Sequence, residues 1–183
     1  RFNVEYREGL YVGYRYFNTV NAPVLFPFGH GLSYTNFEYS NLTLSSKKIT
    51  DKEILTATLD VENVGDTDGK EIVQLYVNDV QSSVYMPSQQ LKGFEKIFLK
   101  AGEKKRITFS LDKRSFAFYN TACSDWQVES GDFKILIGAS SRDIRLEDTV
   151  YVESTDAAEI IPTPSDSWYM APSADREITR EEF

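Results

Sequence analysis

A chain of 183 residues, 41% of them hydrophobic, holds one ordinary globular domain with some chain to spare and leaves no room for two full catalytic domains. Aromatic content of 14%, with aliphatic residues spread as far as about residue 152, excludes wholesale disorder over that stretch, and no run approaches the roughly 18 apolar residues of a membrane span. The formal charge of −8 is uneven: residues 153–183 carry eight acids against two arginines, so a near-neutral body with an acidic tail argues against nucleic acid and anionic membranes as partners.

Residues 1–36 crowd Phe2, Tyr6, Tyr11, Tyr14, Tyr16, Phe17, Phe26, Phe28 and Tyr34 into a stretch with neither a sustained 3.6-residue nor a sustained two-residue period. Gly9, Gly13, Gly29, Gly31, Pro23 and Pro27 break it into short pieces. An irregular segment laid over another surface is expected, because each large ring needs roughly 150–250 Å² of cover.

Residues 37–152 read as strands between turn signals. Leu55, Ala57, Leu59 and Val61 alternate with Thr56, Thr58, Asp60 and Glu62, and Val73, Leu75 and Val77 with Gln74, Tyr76 and Asn78. Between them Gly65-Asp66-Thr67-Asp68-Gly69 is expected to form a hairpin turn. Ile107, Phe109 and Leu111 follow a tight turn at Ala101-Gly102-Glu103, and Phe133, Ile135 and Ile137 follow one at Ser130-Gly131-Asp132. Further strands at 37–45, 91–99 and 144–152 make about seven, with an eighth short candidate at 116–119. The expected fold is all-β, an antiparallel sandwich of the immunoglobulin or fibronectin type III kind, with no long helix.

Residues 153–183 lose the alternation and gain Pro162, Pro164 and Pro172, as an extended acidic tail or linker would. Trp168 and Tyr169 are expected to dock on a surface, and Thr179 with Glu182 forms a capping-box start whose helix is cut short. The chain opens on Arg1 with no leader-like pattern, so a trimmed start or a fragment is expected. The single cysteine and the missing leader favour a cytoplasmic location.

Few residues suggest chemistry. One cysteine, Cys123, and one histidine, His30, leave too few soft ligands for zinc or iron, and no cofactor or metal is expected. His30 and Ser33 sit in a glycine-flanked turn without an orienting acid, so His30 reads as structural. Glu5 and Glu8 read as solvated or arginine-paired, Asp66 and Asp68 as turn formers, and Asn41-Leu42-Thr43 as a glycosylation sequon of the kind that occurs by chance. Asp125, in Ser124-Asp125-Trp126, has the look of a nucleophile beside a sugar-stacking ring and could be paired with Glu129 or Glu8. Its place inside the sandwich pattern argues for Trp126 as a core or edge ring. A carbohydrate-binding module using Tyr76, Tyr85, Trp126 and Tyr151 is the main alternative, although fold alone does not support it.

Several motifs in one order carry a resemblance. Tyr6 to Phe17, followed by Phe26-Pro27-Phe28-Gly29-His30-Gly31-Leu32-Ser33-Tyr34-Thr35, resembles the segment that leaves the second catalytic domain in glycoside hydrolase family 3 β-glucosidases. Val61-Glu62-Asn63-Val64-Gly65, Gly69 to Val77, Leu91-Lys92-Gly93-Phe94, Ala101-Gly102-Glu103, Arg114 to Tyr119 and Gly138-Ala139-Ser140-Ser141 resemble the fibronectin type III-like domain that follows it. The resemblance implies a retaining, exo-acting parent that removes terminal β-D-glucosyl residues. Its nucleophilic aspartate and acid/base glutamate would lie on a barrel and an α/β domain outside these motifs. Asp125 aligns with the sandwich, so no catalytic residue is assigned.

On this reading residues 1–36 end the preceding catalytic domain, residues 37–152 form a non-catalytic scaffold, and the missing catalytic domains are the partner. A β-glucoside is met only through the parent, and an oligomer contact is a further role left open. Tyr11, Tyr14, Arg15, Tyr16, Phe26 and Phe28 are the residues expected to pack between domains.

Overall fold

The alternating segments become two packed sheets in a computed structural model, which describes residues 9–161. In chain order the elements are α1 (Tyr14–Thr19), β1 (Phe37–Leu44), β2 (Lys48–Thr50), β3 (Leu55–Asn63), β4 (Gly69–Asp79), β5 (Gln90–Leu99) and β6 (Lys104–Leu111). They continue with α2 (Lys113–Phe116), β7 (Phe118–Asn120), β8 (Asp125–Gln127), β9 (Gly131–Ser140) and β10 (Asp143–Glu153). One sheet has the order β1-β3-β6 and the other β2-β10-β9-β4-β5, with β7 and β8 paired as a separate ribbon. All pairings are antiparallel except β2 with β10. The all-β sandwich expected from the alternation is therefore what forms.

The inner faces supply the core. Leu55, Ala57, Leu59 and Val61 of β3 meet Val73 and Leu75 of β4 and Ile135 and Ile137 of β9, all fully buried. Each large aliphatic side chain here stabilises the fold by about 1.5–3 kcal/mol relative to exposure. Outside this core the expectations needed correcting. The glycine-bounded turn at residues 65–69 is not a hairpin, because β3 and β4 belong to different sheets. Gly131 begins β9 opposite Val152 rather than turning the chain. The short strand expected at 116–119 begins only at Phe118, since Phe116 closes α2, where Asp112 caps the helix by accepting from Ser115 N. The three-residue strands β2 and β8 are additional.

The first residues after β10 are strapped onto the sandwich. Asp51, 2% exposed, accepts from Thr155 N, and Lys113 bridges Asp51 and Asp156. Val128 N donates to Asp156, Gln127 Nε2 to Ala158 O and Asn120 Nδ2 to Glu159 O. Trp168, Tyr169 and the capping box at Thr179 lie outside the described residues.

At the other end of β3, Asn63 is a fully buried hub. Its Nδ2 donates to Thr67 O and Leu99 O, and its Oδ1 accepts from Gly65 N and from Thr35 Oγ1. Thr35 fits against Gly65 and Gly69, where a Cβ at either position would collide with it. One amide thus ties the corner between the sheets, the end of β5 and the segment entering β1. Asn63→Ala leaves several of these groups unpaired, each costing about 1 kcal/mol or more. A loss of roughly 2–4 kcal/mol is expected, read as a lower urea midpoint with an unchanged slope.

Candidate functional site

The most elaborate non-core surface is where residues 9–36 lie across the outer face of the five-stranded sheet. Strand periodicity sends Gln74 and Tyr76 of β4 to that outer face, yet they are 3% and 0% exposed. Tyr14 and Phe28 cover them: their rings stack at 4.5 Å, and Tyr14 meets Tyr76 edge to face at 6.0 Å. Burial pushes the Tyr76 hydroxyl well above its ordinary pKa, so it remains protonated and donates to Gln74 Oε1 at 2.5 Å. Gln74 Nε2 in turn donates to Gly29 O and Ala139 O. Gly29 takes φ +79, and a Cβ there would collide with Gln74. The glycine is needed for both reasons.

The turn between β9 and β10 clamps the same segment. Arg142 donates to Asn18 Oδ1, Phe17 O and Ala22 O. Ser141 N donates to Phe28 O, while Ser141 O accepts from Asn18 Nδ2 and Gln89 Nε2. Leu91 N donates to Tyr14 Oη at 2.8 Å, and Ser88 N to Thr19 Oγ1. The segment was expected to lack regular structure. It nonetheless contains α1, which Gly13 at φ +60 turns the chain into and which Thr19 stabilises through a bond to Arg15 O.

The six packing candidates divide by direction. Tyr11 is buried, its hydroxyl pushed up to about 12 by burial and by Tyr85 nearby, and Tyr14 faces Tyr76. Tyr16 is half-buried and meets Phe17 edge to face, and Arg15 is half-buried near Lys92. Phe28 is stacked on one side and 46% exposed, and Phe26 is 67% exposed with His30 on its ring. The alternation did not flag Leu25, Leu32 and Tyr34, which project at 88%, 95% and 99% exposure. Tyr34 belongs to the aromatic cluster of residues 1–36, whereas Leu25 and Leu32 had position as their single signal, standing between the residues that anchor the segment.

The residues that suggested chemistry do not converge. No hydrogen bond joins His30 to Ser33, whose Oγ accepts from Thr35 N. Asp66 accepts from Thr67 Oγ1 beside it, while Asp68 accepts from Ala101 N in the separate turn before β6. Asp125 is exposed and accepts from Trp126 N, and Glu129 accepts from Ser83. Cys123 is exposed, and Asn41 donates to Asp60 at a bulge. Glu5 and Glu8 lie outside the described residues. Among the described residues no group of three or more His, Cys, Asp or Glu could hold a metal.

The rings proposed for sugar stacking are scattered. Tyr76 is inaccessible, and one face of Trp126 is covered by the Arg114 guanidinium at 3.5 Å. Tyr151 stands on β10 beside Lys48. Asp79 and Glu129 interact, but the adjoining cavity, lined by Val77, Asp79, Met86, Gln90, Lys92 and Phe133 among others, holds about 10 Å³. That is room for one water and not for a sugar.

Fold and site together define a fibronectin type III-like module, and residues 71–141 match the family model of the fibronectin type III-like domain. The chain is 60% identical over 152 residues to thermostable β-glucosidase B of Acetivibrio thermocellus, covering 83% of this chain and 20% of that protein. It is 44% identical over 150 residues to an exo-α-(1→6)-L-arabinopyranosidase of Bifidobacterium longum, covering 82% of this chain and 19% of the relative. The crystal structure of a glycoside hydrolase family 3 β-glucosidase from Bifidobacterium adolescentis superposes with TM-score 0.77 at 38% identity, over 90% of this chain and 24% of the other. The chain spans about a fifth of the length of the curated relatives it matches. The chain thus carries a fibronectin type III-like domain and is similar, over most of its own length, to one part of these glycosidases.

Two outcomes test this geometry. Arg142→Ala should speed amide exchange over residues 13–30 by about one to two orders of magnitude, matching roughly 1–3 kcal/mol of local bonding, while β3 and β9 stay protected. Asp79 is raised to about 6 by burial and then by Glu129. The folded chain therefore holds a proton that the unfolded chain has released, and stability falls as pH rises from about 4 to 6. After discounting for partial exposure, Asp79→Asn should be more stable by on the order of 1–2 kcal/mol at pH 7.5 and nearly neutral at pH 4, measured by urea unfolding.

Proposed function

We propose that this chain is the non-catalytic supporting module of a β-glucosidase-type glycoside hydrolase, packed through residues 9–36 against the catalytic body of its parent. One observation carries the reading: Leu32 and Tyr34, 95% and 99% exposed, are held between immobilised neighbours at Gly29 and Thr35. A backbone already held on both sides pays less further ordering entropy when another surface covers its side chains, and their burial returns about 25 cal/mol per Å². Leu25 and Phe26 of the same segment are also exposed.

The relatives support an exo-glycosidase parent but not one sugar, since their names include both β-glucosidase and arabinopyranosidase. Sugar choice then belongs to the catalytic body. The carbohydrate-binding alternative meets a physical objection in the burial of Tyr76 and the capped face of Trp126.

The purified 183-residue chain should not turn over a chromogenic β-glucoside and should not be retained by cellulose, xylan or β-glucan; turnover abolished by Asp125→Asn would overturn the reading. In the full-length parent, the pair Leu32→Ser and Tyr34→Ser should lower the melting temperature by several degrees while leaving the isolated chain unchanged. Equal effects on both would mean that these side chains serve the module alone.

A further inference from the structure

Strand β5 contains an irregularity that the supporting role does not use. Its register against β4 shifts between the pairs Leu75↔Gly93 and Tyr76↔Leu91, so Lys92 has no partner across the ladder. A bulge of this sort re-aims a side chain. Here it takes Lys92 off the sheet and into the lining of the small cavity beside Ser115 and Phe116, with Nζ donating to Arg114 O at 3.4 Å. The Arg114 guanidinium lies over the Trp126 ring, 3.5 Å from its centroid, a cation–π contact that holds the group in place. The bond from Leu91 N to Tyr14 Oη brings α1 against the same stretch of β5 and carries Arg15 toward Lys92.

Lys92 thus meets α2 through the Arg114 carbonyl and α1 approaches the same stretch of β5, and none of Lys92, Arg114 and Arg15 has an ion pair to a carboxylate among the described residues, although eight other basic side chains have one. Asp112 acts on the charge of Lys92, and it is engaged at Ser115 as the cap of α2. Burial, Arg15 and Arg114 together push Lys92 down to about 8. Gathering like charges costs free energy that an anion would relieve.

We propose that Lys92, Arg114 and Arg15 form a receptor for a carboxylate side chain presented by the rest of the parent enzyme, an ionic contact separate from the apolar one around Leu32. Arg114 supplies the planar fork that a carboxylate matches, and Lys92 and Arg15 supply charge at its sides. The cavity behind them is too small for more than a water. The inference rests on the supporting-module reading, and its test separates the two.

The intact parent would be treated with a zero-length carbodiimide, which joins an amine to a carboxylate only where the two are in contact, and the joined peptides identified by mass spectrometry. An amide between Lys92 and an Asp or Glu outside this chain is the expected product, absent in Lys92→Arg. In the same parent, Lys92→Met and Arg114→Gln should each speed proteolytic release of the module on the order of tenfold at low salt, with the difference fading at high salt. Lys92 joined only to Asp112, joined to a second copy, or not joined at all would overturn the receptor. If residues 25–34 were still protected from exchange in the parent, the apolar docking would stand without it. Lack of protection there would remove the supporting-module reading and the receptor together.

Discussion

Burying the outer face of a sheet demands that every polar group on it find a partner, and this demand organises the molecule. Gln74 and Tyr76 stand on the face that an isolated sandwich would leave wet, and water does not reach either of them. Their hydroxyl and amide form a closed chain: Tyr76 to Gln74, and Gln74 to both Gly29 and Ala139. A half-satisfied network at this depth would cost more than it returned. Residues 9–36 are therefore a third layer of the fold, placed as definitely as a strand, and several of their large apolar side chains stay exposed.

Much of the sandwich was legible because its code is local. In Leu55 to Val61 the period of two marks the buried side directly, and the structure buries all four marked residues completely. The same code misread β4, where Gln74 and Tyr76 look wet. Their burial depends on Tyr14 and Phe28, 46 to 62 residues earlier, and alternation says nothing about what later lands on a face. Helix α1 spans six residues, fewer than two turns, and β2 and β8 span three each, so no period could develop in them. Whether a turn joins neighbours in one sheet or crosses between sheets is likewise absent from its residues, as Gly65 to Gly69 shows.

The site was legible unevenly for the same reason. Aromatic density singled out residues 1–36, and six side chains there were expected to face another domain. In the structure Tyr11 and Tyr14 turn toward the sandwich, while Leu25, Leu32 and Tyr34 project from it. Ring chemistry cannot say which side of a thin layer a residue takes. The bulge that re-aims Lys92 is a matter of pairing register and has no sequence signal of its own. Conversely, Ser124-Asp125-Trp126 carries a strong local signal and no site, because Asp125 only receives the amide of its neighbour and Trp126 packs beneath Arg114.

The hub at Asn63 and the strap at Asp51 and Asp156 stand at opposite ends of β3, a nine-residue strand that spans about 26 Å at roughly 3.3 Å per residue. A pull applied through Thr35 at one end and Asp156 at the other would run nearly parallel to the strands. The ladder bonds would then be loaded in shear, many at once, instead of being unzipped singly from an end. Under such a load the module would act as a tie rod.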